Sequence, residues 1–261
     1  MSIVLPSLIG ANKPAGGTPF ANQYSVSFDG TNDYATATLG SQVFDGDFAI
    51  SFWFNADTAP TYTTLIQSGS SGSYNDGFRI YRYSNTALAF WKGQGGYSNI
   101  FGNIGTTATG SWHHIVVTRS GSTSTFYLNG SSIDTGTDSQ SYTSTAFQMS
   151  FTTYPFDGLM DEVALWDSAL SAPNVASLRD TSGSNPVPAD ISSLNPVNWW
   201  RMGDGSDGSG NADGTLVNIG GTDFPQIYNV ATDGSGNRIT GSDASLTNIA
   251  SPNGIVSDVP S

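Results

Sequence analysis

Along most of this chain apolar residues come singly, every second position, in runs too short for helices. Between 47 and 55, Phe48, Ile50, Phe52 and Phe54 fall on one face while Ala49, Ser51 and Trp53 fall on the other. A period of two over that length predicts a half-buried strand. Tyr24, Val26 and Phe28 alternate in the same way and run into an Asp29-Gly30 turn. Further strands are expected at 63–67, 77–83, 87–92, 113–119 and 125–128. Asn129-Gly130 should then close a hairpin onto 131–134, since a type I′ turn needs positive φ at both central residues. Residues 158–166 form another strand, with two candidate inner faces: Leu159, Asp161, Val163 and Leu165, or Met160, Glu162, Ala164 and Trp166. One helix is expected, with Ser171 as N-cap, Pro173 in the first turn and Val175 and Leu178 on one side, ending near Asp180. Many short strands with turn signals between them point to an all-β, two-sheet antiparallel sandwich with one short helix.

The chain divides by composition. Residues 1–22 read as an N-terminal arm broken by Pro6, Pro14 and Pro19, and residues 23–180 as the sandwich. Residues 181–198 form a connector. Residues 199–261 are a Gly/Asp-rich C-terminal extension, expected to pack on the sandwich or on a neighbour, with Trp199 and Trp200 as buried anchors. No basic n-region leads the chain and no apolar run reaches the length of a membrane span, so neither a signal peptide nor membrane insertion is expected.

Charge narrows the partners. The net charge is −13, with only eight Lys and Arg among 261 residues. Without a basic stripe to meet phosphates, nucleic acid is not expected as a partner. There is no Cys, so disulfides and thiolate metal sites are excluded. The acids are almost all Asp, and Glu162 is the single Glu.

That scarcity bears on catalysis. Retaining glycoside hydrolysis needs two carboxyls about 5 Å apart. Asp161 and Glu162 are sequence neighbours expected to point to opposite sides, and Asp161 and Asp167 stand too far apart along a strand. His113 and His114 are adjacent on one strand, which suits packing and hydrogen bonding better than catalysis. No catalytic residue is expected. Aromatic faces that stack on sugars are a better candidate: Tyr81, Tyr83, Trp91 and Tyr97 lie in or after neighbouring strands, with Gln94 close by to bond hydroxyls. The same rings could instead be ordinary sheet packing.

Several segments in order resemble the laminin-G-like, pentraxin-related branch of the concanavalin-A-like superfamily. They are 24–34 (YSVSFDGTNDY), 48–55 (FAISFWFN), 111–119 (SWHHIVVTR), 125–130 (TFYLNG) and 156–170 (FDGLMDEVALWDSAL). The resemblance implies a jelly roll of two curved sheets over residues 22–180. Its glucanases use two Glu on one strand, which a single Glu does not supply. Its pentraxins bind calcium through an Asn/Asp pair that would correspond to Asn75 and Asp76, although the second loop, 150–155, holds no acid here. No cofactor is required by this reading; calcium is the one ion the resemblance raises.

Residues 199–216 (WWRMGDGSDGSGNADGTL) look like the leader that precedes such domains elsewhere, here placed after one. That arrangement resembles virion proteins of marine bacteriophages. It implies a non-enzymatic capsid decoration, knob or fibre component on the virion surface, folded in the host cytoplasm. Its partners would be other virion proteins, copies of itself and host-surface glycans. A freestanding extracellular lectin is the alternative, and a glycoside hydrolase a remote one.

Overall fold

The computed structural model describes residues 22, 24–69, 76–83, 86–93, 98–202, 226–227, 244–247, 255–256 and 259–260. The arm expected over 1–22 lies outside them except for Asn22.

Two antiparallel sheets face each other. The first, sheet A, runs through β1 (Ser25–Asp29), β3 (Phe48–Ala56), β8 (Trp112–Ser120), β9 (Thr123–Leu128), β10 (Ser131–Thr137), β12 (Asp157–Trp166), β15 (Asn198–Trp200) and β18 (Ile255–Val256). Its order is β10-β9-β8-β3-β12-β1-β18, with β15 also on β12. The second, sheet B, holds β2 (Tyr34–Thr38), β4 (Tyr62–Ser68), β5 (Phe78–Tyr83), β6 (Ala87–Lys92), β7 (Ser98–Ile104), β11 (Ala146–Met149), β16 (Gln226–Ile227) and β17 (Ala244–Thr247). Its order is β16-β17-β2-β11-β4-β5-β6-β7. This is the all-β sandwich expected from the alternation, in the jelly-roll form that the resemblance implies.

The alternating Phe48, Ile50, Phe52 and Phe54 meet Phe78, Ile80, Leu88, Phe90 and Phe147 of the opposite sheet in one apolar core. A second cluster lies on the far side of sheet A. There α1 (Ala172–Ser177) lays Val175 against Ala49, Val116, Ala164 and Trp166. The helix starts as expected, with the Ser171 side chain accepting the Asn174 amide and Pro173 in the first turn. It stops earlier than expected, because β13 (Arg179–Asp180) leaves to pair with β14 (Val187–Pro188). The Asn129-Gly130 hairpin is present with positive φ at both residues, 51° and 82°.

Neither candidate face of β12 is correct along its whole length. Met160 lies in the core, but so do Val163 and Leu165, while Ala164 and Trp166 face the helix. The phase slips at a bulge after Asp161, where Glu162 takes φ of 48°. A bulge inserts one residue and reverses the alternation beyond it. The bulge also marks a change of neighbour. Residues 157–160 of β12 pair with β1, and Val163–Leu165 pair with β15.

Sheet A is therefore not finished at residue 180. Asn198 of the expected connector, together with Trp199 and Trp200, adds β15 to it, and β18 joins at β1. Trp200 is fully buried and stacks on Phe147 of sheet B, with ring centroids 5.2 Å apart and planes 9° from parallel. Trp199 is buried on the helix side. The Glu162 carboxylate accepts from Trp199 Nε1 and from Arg201 Nε at 2.9 Å, so the only Glu of the chain is buried in an ion pair. Asp161, beside it, accepts from the Asn22 amide at 2.8 Å.

Polar groups also tie the sandwich internally. Asp138 accepts from Lys92 Nζ at 2.8 Å and from the Tyr142 hydroxyl at 2.5 Å. Burial alone would raise the Asp138 pKa, but these donors outweigh it and hold the carboxyl below its usual range. Arg82, pointing inward at the end of β5, binds the carbonyls of Thr58 and Thr107.

The two histidines are structural. His114 Nε2 lies 2.7 Å from Ser51 Oγ, and the ring stacks on Trp53 at 4.7 Å. Burial, with Arg179 nearby, pushes its pKa down to about 3. His113 is bonded to the Ala108 carbonyl at 3.1 Å, and burial lowers its pKa as well.

Two outcomes follow. Trp200→Ala should cost about 3–5 kcal/mol, as for other large buried aromatics, measured by denaturant unfolding; a loss under about 1 kcal/mol would show that Trp200 does not pin the sheets. Between pH of about 6.5 and about 3 the unfolded chain takes up a proton at His114 that the folded chain refuses, so stability should fall with acidification by about 1.4 kcal/mol per pH unit at this site. Asp33 acts in the opposite sense. Burial raises its pKa to about 6, despite the Asp29 amide it accepts, so its contribution shrinks as pH rises from about 4 to about 6. Unfolding midpoints of wild type and His114→Gln across this range isolate the histidine, and parallel pH profiles would refute its assignment.

Candidate functional site

The outer face of sheet B gathers the aromatic residues that the core does not use. Because Phe78 and Ile80 of β5 and Leu88 and Phe90 of β6 point into the core, Arg79, Tyr81, Tyr83 and Trp91 must point out. The register sets Arg79 opposite Trp91, Tyr81 opposite Ala89 and Tyr83 opposite Ala87. Small Ala partners leave room for rings, and Tyr81 meets Trp91 edge-on with centroids 5.5 Å apart.

Two elements add to this row. At the start of β4, Tyr62 stands opposite Tyr83, with centroids 5.0 Å apart. The Tyr83 hydroxyl beside it holds the Tyr62 phenol above its usual pKa. The loop after β11 crosses the same end of the sheet. Ser150, at φ of 61°, donates its amide to the Leu65 carbonyl, and its hydroxyl accepts the Phe156 amide. The Tyr154 carbonyl accepts the Thr64 amide. So anchored, the loop sets Tyr154 5.8 Å from Tyr62 and 6.2 Å from Tyr81, and places Phe151 over the Arg79 guanidinium at 4.4 Å. Arg79 also donates to the Tyr81 hydroxyl at 2.8 Å. The result is a wall of rings around a held guanidinium, with Thr64 and Gln67 among them.

Among the described residues, the strands that build this face carry no carboxylate, although the chain has 21 acids.

Of the residues expected from the sequence, Tyr81, Tyr83 and Trp91 share this face. Gln94, Tyr97 and Asn75 lie outside the described residues. Asp76 sits at the margin, where its carbonyl accepts the amides of Thr143 and Ser144. The loop over 150–155 supplies Phe151 and Tyr154 to the aromatic wall. Among the described residues no group of three His, Asp or Glu side chains could hold a metal ion. Sequence reasoning missed Tyr62, Arg79, Phe151 and Tyr154. Tyr62 precedes the apolar run that marked β4, and Tyr154 comes from a loop with no periodicity.

Comparison with known proteins fits this architecture. A laminin G family model, described as the concanavalin A-like lectin/glucanases superfamily, matches residues 29–176. No curated protein matches the sequence. Among solved structures, a candidate carbohydrate-binding protein from Bacteroides ovatus superposes with a TM-score of 0.61 at 16% identity. The match covers 94% of this chain but 62% of that one, so this chain spans less than two thirds of that protein. A heptameric pentraxin from Limulus polyphemus matches with a TM-score of 0.47 at 16% identity, over 65% of this chain and 87% of its own. With a family model spanning more than half of its length, on a sandwich of the corresponding architecture, this chain belongs to the concanavalin A-like lectin/glucanases superfamily.

Proposed function

We propose that this chain is a non-catalytic carbohydrate-binding module whose ligand rests on the outer face of sheet B. The observation that carries the reading is the convergence of Tyr62, Tyr81, Tyr83, Trp91 and Tyr154 from four separate elements onto one face whose described strands hold no acid. Sugar rings present C–H faces that stack on aromatics and hydroxyls that need donors and acceptors at the edges. The hydroxyls of the exposed phenols Tyr62 and Tyr154 are of that kind. Carbohydrate binding attributed to the Bacteroides ovatus protein of similar fold supports the same reading.

Hydrolysis is disfavoured by the placement of the acids. Glu162 belongs to sheet A and is committed to Arg201 and Trp199, and Asp161 to Asn22. Removing one partner of such a buried pair typically costs about 3–5 kcal/mol, which makes Glu162 a structural rather than a reactive group.

The setting proposed is a virion surface, supported by the resemblance of the sandwich and its following segment to phage virion proteins; a freestanding extracellular lectin would present the same face. Immunogold labelling of purified particles should mark their surface, whereas label confined to the soluble fraction would favour the freestanding lectin.

On a glycan array the full chain should retain a subset of glycans, and Trp91→Ala should weaken that retention about tenfold, equivalent to about 1.4 kcal/mol. Retention at background for the wild type would sink the reading. Unchanged retention in Trp91→Ala would move the ligand off this face.

A further inference from the structure

The orientation of the rings narrows the form of ligand this face can hold. A flat crystalline polysaccharide presents a plane of sugar faces, and a protein that binds it needs aromatic rings lying in a common plane. A single chain in solution can bend and twist so that successive sugars stack on rings set at different angles. Aromatic contacts of this kind depend on face-on approach to each ring.

The solvent-facing rings of sheet B share no plane. Tyr62 and Tyr154, each 38% exposed, are the most open of them, and Tyr83 and Trp91 are partly exposed. The planes of Tyr62 and Tyr154 differ by 52° and those of Tyr62 and Tyr83 by 55°, while Trp91 stands at 75° to the buried ring of Tyr81. The tilts are held from below. Tyr81 is braced by Arg79, and Tyr154 by the main chain of β4. A flat lattice laid across the sheet could stack on one of these rings and would strike the others edge-on.

Building on the carbohydrate-binding reading above, we infer that the ligand is a single, uncharged or anionic glycan chain in solution, curving over Tyr62 and Tyr154, and not the face of a crystalline polysaccharide. The charge of the face agrees. The described strands of sheet B contribute no carboxylate, and the Arg79 guanidinium lies buried under Phe151, so nothing on these strands attracts a polycationic glycan such as deacetylated chitin.

The test uses the full chain against two sets of probes: soluble laminarin, arabinan, xylan, maltoheptaose and alginate by calorimetry, and microcrystalline cellulose and crystalline chitin by sedimentation. At least one soluble chain should bind, its affinity falling about tenfold or more in Tyr62→Ala and in Tyr154→Ala but much less in Tyr154→Phe, which keeps the ring. Both tyrosines are exposed at the surface, so circular dichroism and the unfolding midpoint should match wild type. Neither crystalline solid should retain the protein above an inert-resin control. Retention on a crystalline solid that Tyr62→Ala abolishes would overturn this inference and leave the carbohydrate-binding reading in place. Binding to none of the probes, soluble or solid, would overturn both.

Discussion

The buried carboxylate of Glu162 is the hinge of the sandwich. It sits at the bulge where β12 exchanges one neighbour for another, and it receives the side chains of Trp199 and Arg201 from the strand that arrives. A left-handed backbone at a non-Gly residue costs about 1–3 kcal/mol and persists only where its surroundings hold it. Here those surroundings are an ion pair, an indole hydrogen bond and the Asp161 side chain capping the Glu162 amide. From this point Trp200 passes through sheet A to Phe147. That contact joins the two sheets through a residue 23 positions beyond the end of the helix at Ser177.

The consequence reaches the opposite face. Phe147 belongs to β11, and the loop that follows β11 carries Phe151 and Tyr154. A chain of direct contacts thus runs from the ion pair on sheet A, through the stacked Trp200 and Phe147, to the strand whose end positions the ring wall. Position in this fold is transmitted by packed aromatics, which at interior densities leave little slack.

Much of this was legible in the residues. Strong alternation in 48–54 gave β3 and its inner face, and Asn129-Gly130 gave the hairpin, because each rests on a local rule. The strands β2 and β7 were not visible: YATAT and SNIFGNI have too few large apolar residues to show a period. The inner face of β12 could not be decided because a bulge breaks the very periodicity that was being read. The closing strand β15 was hidden for another reason, since three residues pairing with a strand more than 30 positions away leave no local trace. On the site, Tyr81, Tyr83 and Trp91 could be found because they lie on adjacent strands with clear alternation. Tyr62, Phe151 and Tyr154 join them only through tertiary folding.

The absence of acids from sheet B shapes how the molecule meets other surfaces. With a net charge of −13, most approaches to any negatively charged surface are repelled. The repulsion is weakest along the direction in which sheet B faces, because its strands add nothing to the negative field. At the Debye length of about 8 Å in physiological salt such a local difference is felt only near contact. The molecule would therefore turn its ring-bearing side forward in the last few ångströms of an encounter, an orienting effect that high salt would erase.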